Sequence, residues 1–173
     1  MIKLGIPQSI PLGGSVSISS LAQTAQVEQQ LLTRLVRYSI AAGFLSEKTP
    51  GHISHNSASS VCVRDENITD SIVSNLNVAN PASVMMVEAL KLNAAGTDAA
   101  KTPLSVAFAK SADGVGQLGS MWDFLRDHPG EEVRFHNSMA ATHSTSIYSC
   151  EHVARGFDWN QVKTVVDVSI SFS

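Results

Sequence analysis

A chain of 173 residues with 43% hydrophobic content is the size of one ordinary domain and carries enough apolar side chains for a packed core. Its formal charge of -3 and charged fraction of 16% give no broad electropositive field, which argues against a nucleic-acid partner whose many phosphates would need neutralising. Cys62 and Cys150 stand far apart with no CxxC or CxxH neighbour, so neither a disulfide framework nor a zinc site is supported, and both read as reduced core residues.

Residues 1–18 hold scattered apolar side chains, but Pro7, Pro11 and Gly13-Gly14 interrupt any signal-peptide core. No run approaches the ~20 apolar residues that span a bilayer. The simplest expectation is a cytoplasmic chain with no membrane partner, in which the Asn67-Ile68-Thr69 sequon is incidental.

Ser19-Ser20 ahead of Leu21 to Ala25 predict a short helix capped by hydroxyls. From Val27 the apolar residues Leu31, Leu32, Leu35, Val36, Ile40 and Ala41 recur at helical spacing, predicting a longer amphipathic helix that Gly43 ends. Phe44-Leu45 and His52-Ile53-Ser54 flank a polar turn over 46–51, the pattern of a β-hairpin. Helix, longer helix and hairpin in that order make a winged helix.

Ala58 to Val63, Thr69 to Val78 and Pro81 to Leu92 have helical composition, with Pro81 suited to a first helical position. Ala94 to Gly119 is rich in Gly, Ala and Ser and reads as a long surface loop. Order returns with a helix around Met121 to Leu125 closed by His128-Pro129-Gly130, a second from Glu131 to about His143 and a third from Ser146 to Arg155. Thr164 to Val168 is a β-branched run of the kind found in a parallel strand covered on both faces, and such a strand needs neighbours to pair with.

Three stretches resemble the plant- and fungal-type S-adenosylmethionine-dependent O-methyltransferases, especially the fungal secondary-metabolite branch. Ser17 to Ala22 with Leu32 to Tyr38, Gly43-Phe44-Leu45 and Pro50 to Asn56 is similar to that family's winged-helix dimerisation module. Met121-Trp122-Asp123-Phe124-Leu125, His128-Pro129 and Arg134 to Met139 resemble its helical segment bordering the acceptor-substrate pocket. Asp158-Trp159 with Val165-Val166-Asp167-Val168 resembles the lead-in to its Rossmann-like domain.

The resemblance implies a mainly α fold: a winged helix and a helical substrate-binding segment over 1–156, then the start of a Rossmann-like domain, truncated after its first strand, over 157–173. Asp167 marks the start of a donor-binding motif whose glycine-rich turn is replaced by Ser169 to Ser173. The implied roles are therefore substrate binding by Trp122, Phe135, Met139 and His143, with no catalytic, cofactor or metal residue. The ligand would be a small aromatic or polyketide-like molecule, and the partner a second copy or a complete homologue. Methyl transfer is not expected from these residues alone.

Plainer readings stand beside these. Phe135 and Met139, four apart on one face, also suit core packing. His136 and His143 lack a metal-ligand frame such as HExxH, and His52 and His55 read as exposed hairpin histidines. Arg34 and Arg37 on the longer helix would touch DNA in a winged-helix regulator, yet only Lys48 supports them in the hairpin. Trp122 and Trp159 read as a core anchor and a domain-junction anchor. A cofactor-free cyclase, pericyclase or dehydratase on the same scaffold is the alternative enzyme reading.

Overall fold

The computed structural model describes residues 1–109, 120–144 and 146–166. It is mainly helical, with one small three-stranded antiparallel sheet.

The first helix, α1 (Ile18–Ala25), starts where Ser17 Oγ accepts the Ser20 amide at 3.1 Å. The cap is thus Ser17 rather than Ser19-Ser20, because Ser17 keeps the extended backbone that an N-cap needs. In α2 (Gln29–Ala41) the Glu28 carboxylate takes that part, accepting the Leu31 amide at 2.7 Å. Only Leu32, Val36 and Ser39 of α2 are buried, while Leu31 is 45% exposed, so the packed stripe is narrower than the periodicity predicts. Gly43 ends the helix in a left-handed conformation with φ 76°, and Phe44 N–H to Ser39 O at 2.8 Å closes the paired bonds of that cap.

The hairpin follows as expected, but its strands run further into the polar segment. β2 (Leu45–Thr49) and β3 (His52–His55) leave only Pro50-Gly51 between them. Glu47 explains the tighter turn: its carboxylate accepts the Gly51 amide at 2.6 Å and lies 3.5 Å from Arg37 of α2. A strand that local periodicity could not reveal, β1 (Ser15–Ser17), pairs with β3 through Val16 opposite Ile53, giving the order β1-β3-β2. Ile18, Leu21, Leu32, Val36, Leu45 and Ile53 close a core beneath this sheet. Ile6 and Ile10, from a segment in which no element was expected, complete that core through two 3-10 turns at Ile2–Leu4 and Pro7–Ser9.

α3 (Ser57–Arg64) begins at Asn56, which forms a reciprocal capping box with Ser59. α4 (Glu66–Ser74) and α5 (Asn80–Val84) are joined by a π-turn over Asn75–Ala79, so the backbone stays helical where a gap before Pro81 was expected. Proline lacks an amide to donate, and the Asn80 amide beside it bonds five residues back to Asn75 O. α6 (Met86–Leu92) follows a break at Met85.

The long loop expected over 94–119 contains a helix, α7 (Pro103–Ala109), with Thr102 Oγ1 accepting the Ser105 amide at 3.2 Å; residues 110–119 lie outside the described ones. α8 (Met121–Asp127) and α9 (Pro129–Ser144) agree with expectation. The helix expected over 146–155 is split into a 3-10 turn at Ser146–Tyr148 and α10 (Glu151–Gly156).

α9 lies along α4 and α8 rests on α9, while α7 packs on α5 and α6. Phe124, 2% exposed, anchors this region by stacking on Phe108 at 4.4 Å between ring centres. Trp122, expected as the core anchor, is 44% exposed, since the two positions point to different sides of one helical turn. Cys150, expected in the core, is exposed, whereas Cys62 is buried as expected. Thr164 to Val166 form no strand and are exposed, as a strand without a pairing partner must be; Asp167 and Val168 lie outside the described residues.

Candidate functional site

On α9, Phe135, Ser138, Met139 and Thr142 follow one another at three- and four-residue steps and so share a face. That face meets Met121 and Leu125 of α8 on one side, and Ser71, Asn75 and Val78 at the end of α4 and its π-turn on the other. Between them opens a cleft of about 260 Å³.

Several polar side chains around the cleft satisfy themselves on their own helices. Ser138 Oγ donates to Phe135 O at 2.7 Å, Thr142 Oγ1 to Ser138 O at 3.0 Å and Asn75 Nδ2 to Ser71 O at 2.8 Å. This leaves Met121, Leu125, Val78, Phe135 and Met139 to set the cleft's apolar character. No carboxylate, imidazole or amine belongs to its lining among the described residues, so the cleft is built for holding an apolar molecule and offers no acid–base group.

Two of the four expected site residues, Phe135 and Met139, therefore come together here. Trp122 stands behind Phe135 in an edge-on contact with 6.1 Å between ring centres. It lines a neighbouring recess of about 130 Å³ with Leu125, Arg126, Glu132 and His136. His143 is exposed on α9, one turn beyond Met139, and lines neither space.

Beside the cleft an unanticipated polar network fixes the spacing of α4 and α9. Asn137 Nδ2 donates to the Asp70 carboxylate at 2.6 Å, with Arg134 Nε 3.9 Å from the same group. Arg134 also pairs with Glu131 at 2.9 Å, Glu131 accepts from Asn77 at 2.8 Å, and Asn77 accepts from Lys3 at 2.7 Å. At the head of α8, Asp123 accepts the Ser120 hydroxyl at 2.9 Å and the Ser120 amide at 2.8 Å. These bonds, followed by that from Arg126, hold its carboxyl below the usual aspartate range.

Of the hairpin histidines, His52 is exposed as expected and His55 is not. Its Nε2 meets the buried Ile10 carbonyl at 3.1 Å and its Nδ1 meets Ser59 Oγ at 2.9 Å, because the amino-terminal turns fold over the sheet edge. The indole of Trp159 donates back to Ala154 O at 3.2 Å and stacks edge-on with Phe157, holding the end of α10 rather than a junction between domains among the described residues. Arg34 and Arg37 are both exposed on α2, and Arg37 is drawn to Glu47. Among the described residues no group of three or more His, Cys, Asp or Glu side chains is placed to hold a metal ion, and no helix is long and apolar enough to cross a membrane.

No family profile matches the chain. Over 168 residues it is 32% identical to O-methyltransferase FrzF of Cladobotryum sp, covering 97% of this chain and 39% of that protein. Over 170 residues it is 27% identical to 6-hydroxytryprostatin B O-methyltransferase of Aspergillus fumigatus, covering 97% of this chain and 48% of that protein. The chain is homologous to fungal O-methyltransferases. It spans less than half the length of these relatives.

Solved structures agree at the level of fold for this O-methyltransferase homologue. OxaC in complex with sinefungin and meleagrin superposes with a TM-score of 0.65 at 16% identity, covering 83% of this chain and 35% of that one. The mitomycin 7-O-methyltransferase MmcR gives 0.61 at 20% identity, covering 91% and 42%. A pericyclic-reaction enzyme gives 0.63 at 14% identity, covering 78% and 34%.

Proposed function

We propose that this chain is the substrate-binding and dimerisation part of an O-methyltransferase-type protein of fungal secondary metabolism. In this reading α1, α2 and the β2–β3 hairpin act as a winged helix within a domain spanning 1–156, and 157–173 lead into a methyltransferase domain. The cleft between α4, α8 and α9 takes a small aromatic or polyketide-like ligand, with Phe135 and Met139 against its rings and Trp122 and His143 bordering the site.

The observation that carries this reading is the apolar cleft lying on the very helix segment whose residues resemble the family's acceptor pocket. Its about 260 Å³ is below the ~300 Å³ at which drug-sized pockets begin, so it suits one or two fused rings. Two free cysteines are compatible with a reducing, cytoplasmic setting. The exposed stripe of Leu31, Leu35 and Tyr38 along α2 supports pairing with a second copy or a complete homologue.

The described residues do not fit the family's methyl donor. Thr164 to Val166, which by the resemblance approach the donor turn, run exposed and unpaired, so no strand end is formed for a nucleoside to rest on. These residues therefore supply no methyl-transfer step. Calorimetry on the chain tests both halves of the reading. A naphthol is expected to bind, and Met139→Trp, which fills the cleft, to weaken it by about tenfold or more. S-Adenosylmethionine is expected to give no micromolar binding; such binding, or naphthol affinity indifferent to Met139→Trp, overturns the proposal.

The likeness to a pericyclic-reaction enzyme favours one second reading, a cofactor-free rearrangement, cyclisation or dehydration performed by positioning alone. It requires turnover of an intermediate by this chain that falls on Met139→Ala or His143→Ala.

A further inference from the structure

The cleft and the neighbouring recess share Leu125 as a wall, and Phe135 and Trp122 meet edge-on between them at 6.1 Å. Helical geometry makes this continuous. On α9 the recess residues Glu132 and His136 are one step round from Phe135 and Met139, and on α8 Trp122 and Arg126 are one step round from Met121 and Leu125.

The two compartments differ in chemistry. The cleft has no charged lining among the described residues, whereas the recess places the Glu132 carboxylate beside the Trp122 indole. Glu132 is half-buried and has no ion pair or hydrogen bond among the described residues. Arg126, the cation of the same recess, is held elsewhere: its guanidinium is 2.8 Å from Asp123 and 3.3 Å from Asp127. With two carboxylates on Arg126 and a third on Glu132, the local balance is negative. A partly desolvated carboxylate next to an indole favours an organic cation, by charge on one side and by the ring face on the other.

We propose that the recess is a second subsite of the aromatic-ligand cleft, in which Glu132 and Trp122 select ligands carrying a protonated amine beside their ring system. This rests on the ligand-binding reading of the cleft given above. At about 130 Å³ the recess holds roughly four groups of water size, each ~30 Å³. An ammonium with its methyl or methylene substituents fits; a further ring does not. Phe135 is the partition that sets how far the ring system stands from the charge.

Calorimetry on the full chain at low ionic strength compares a naphthol with a protonated aminomethylnaphthalene of nearly the same shape. The amine is expected to bind about tenfold more tightly, the sum of a partly exposed ion pair and a cation–π contact. Glu132→Gln is expected to erase that preference and leave naphthol affinity unchanged, which also shows the variant to be folded, and Trp122→Leu to reduce the preference in part. Equal binding of the two probes, or an amine preference that survives Glu132→Gln, overturns the subsite while leaving the cleft reading intact. Binding of neither probe overturns both. Amine binding that depends on Glu132 without any naphthol binding upholds the subsite and overturns the neutral aromatic cleft.

Discussion

Asn137 of α9 donates to the carboxylate of Asp70 on α4 at 2.6 Å, across the line on which these two helices pack. The pair sits next to the cleft, and Arg134, at 3.9 Å, cannot replace the lost bond without moving. Asn137→Ala is expected to cost about 1–3 kcal/mol, because it strands a mostly buried acceptor. The measurement is the urea midpoint, and the double variant with Asp70→Ala should cost less than the two single changes added together.

His55 links the amino-terminal turns to the hairpin. The Ile10 carbonyl only accepts, so Nε2 carries the proton and Nδ1 accepts from the Ser59 hydroxyl. His55→Ala leaves a buried carbonyl without its donor and is expected to lower stability by about 1–3 kcal/mol in chemical denaturation. Ser59→Ala, which removes a donor to the ring and part of a capping box, should cost about 1 kcal/mol.

Asp123 makes stability sensitive to acid. Its folded carboxyl is held below the ordinary aspartate range, first by the Ser120 hydroxyl, then by the Ser120 amide and by Arg126. A depressed folded value means the stabilisation is fully present above the unfolded value and is lost as pH falls through the folded one. Wild-type thermal stability should therefore fall below the ordinary aspartate pKa more steeply than that of Asp123→Asn. The two melting profiles, recorded from neutral pH downward, should converge in acid.

The two cysteines should separate cleanly in reactivity. Cys150 is exposed, whereas Cys62 is buried and its thiol is pushed up by that burial, which lowers its thiolate fraction near neutrality. A maleimide is expected to label Cys150 in the native chain and Cys62 only after denaturant is added. Cys150→Ser should abolish the native reaction, as mass spectrometry of the labelled chain would show.

What was legible in the sequence was what is local. Phe135 and Met139 could be assigned to one face because four residues of helix make them neighbours. The other wall of their cleft could not, since it is brought there by pairings such as Asp70 with Asn137, 67 residues apart. α1, α2 and the hairpin followed from period and caps, but β1 is only three residues long and shows no alternation to read. His55 looked exposed because nothing in a hairpin reveals that Ile10 will fold over it. Trp122 and Phe124 were indistinguishable as anchors until α7 supplied Phe108, and α7 itself was hidden in a Gly- and Ala-rich stretch where Thr102 and Pro103 were its only signals.

The π-turn at Asn75–Ala79 makes the count of residues there matter more than their kind. Deleting one of the five would restore the ordinary repeat and turn everything after it by about 100° about the axis. α5 would then swing off α7, and Val78 and Ala79 would leave the rim they share with Met121 and Met139. Side chains along this turn can vary, but its length sets the phase that keeps the two walls facing each other.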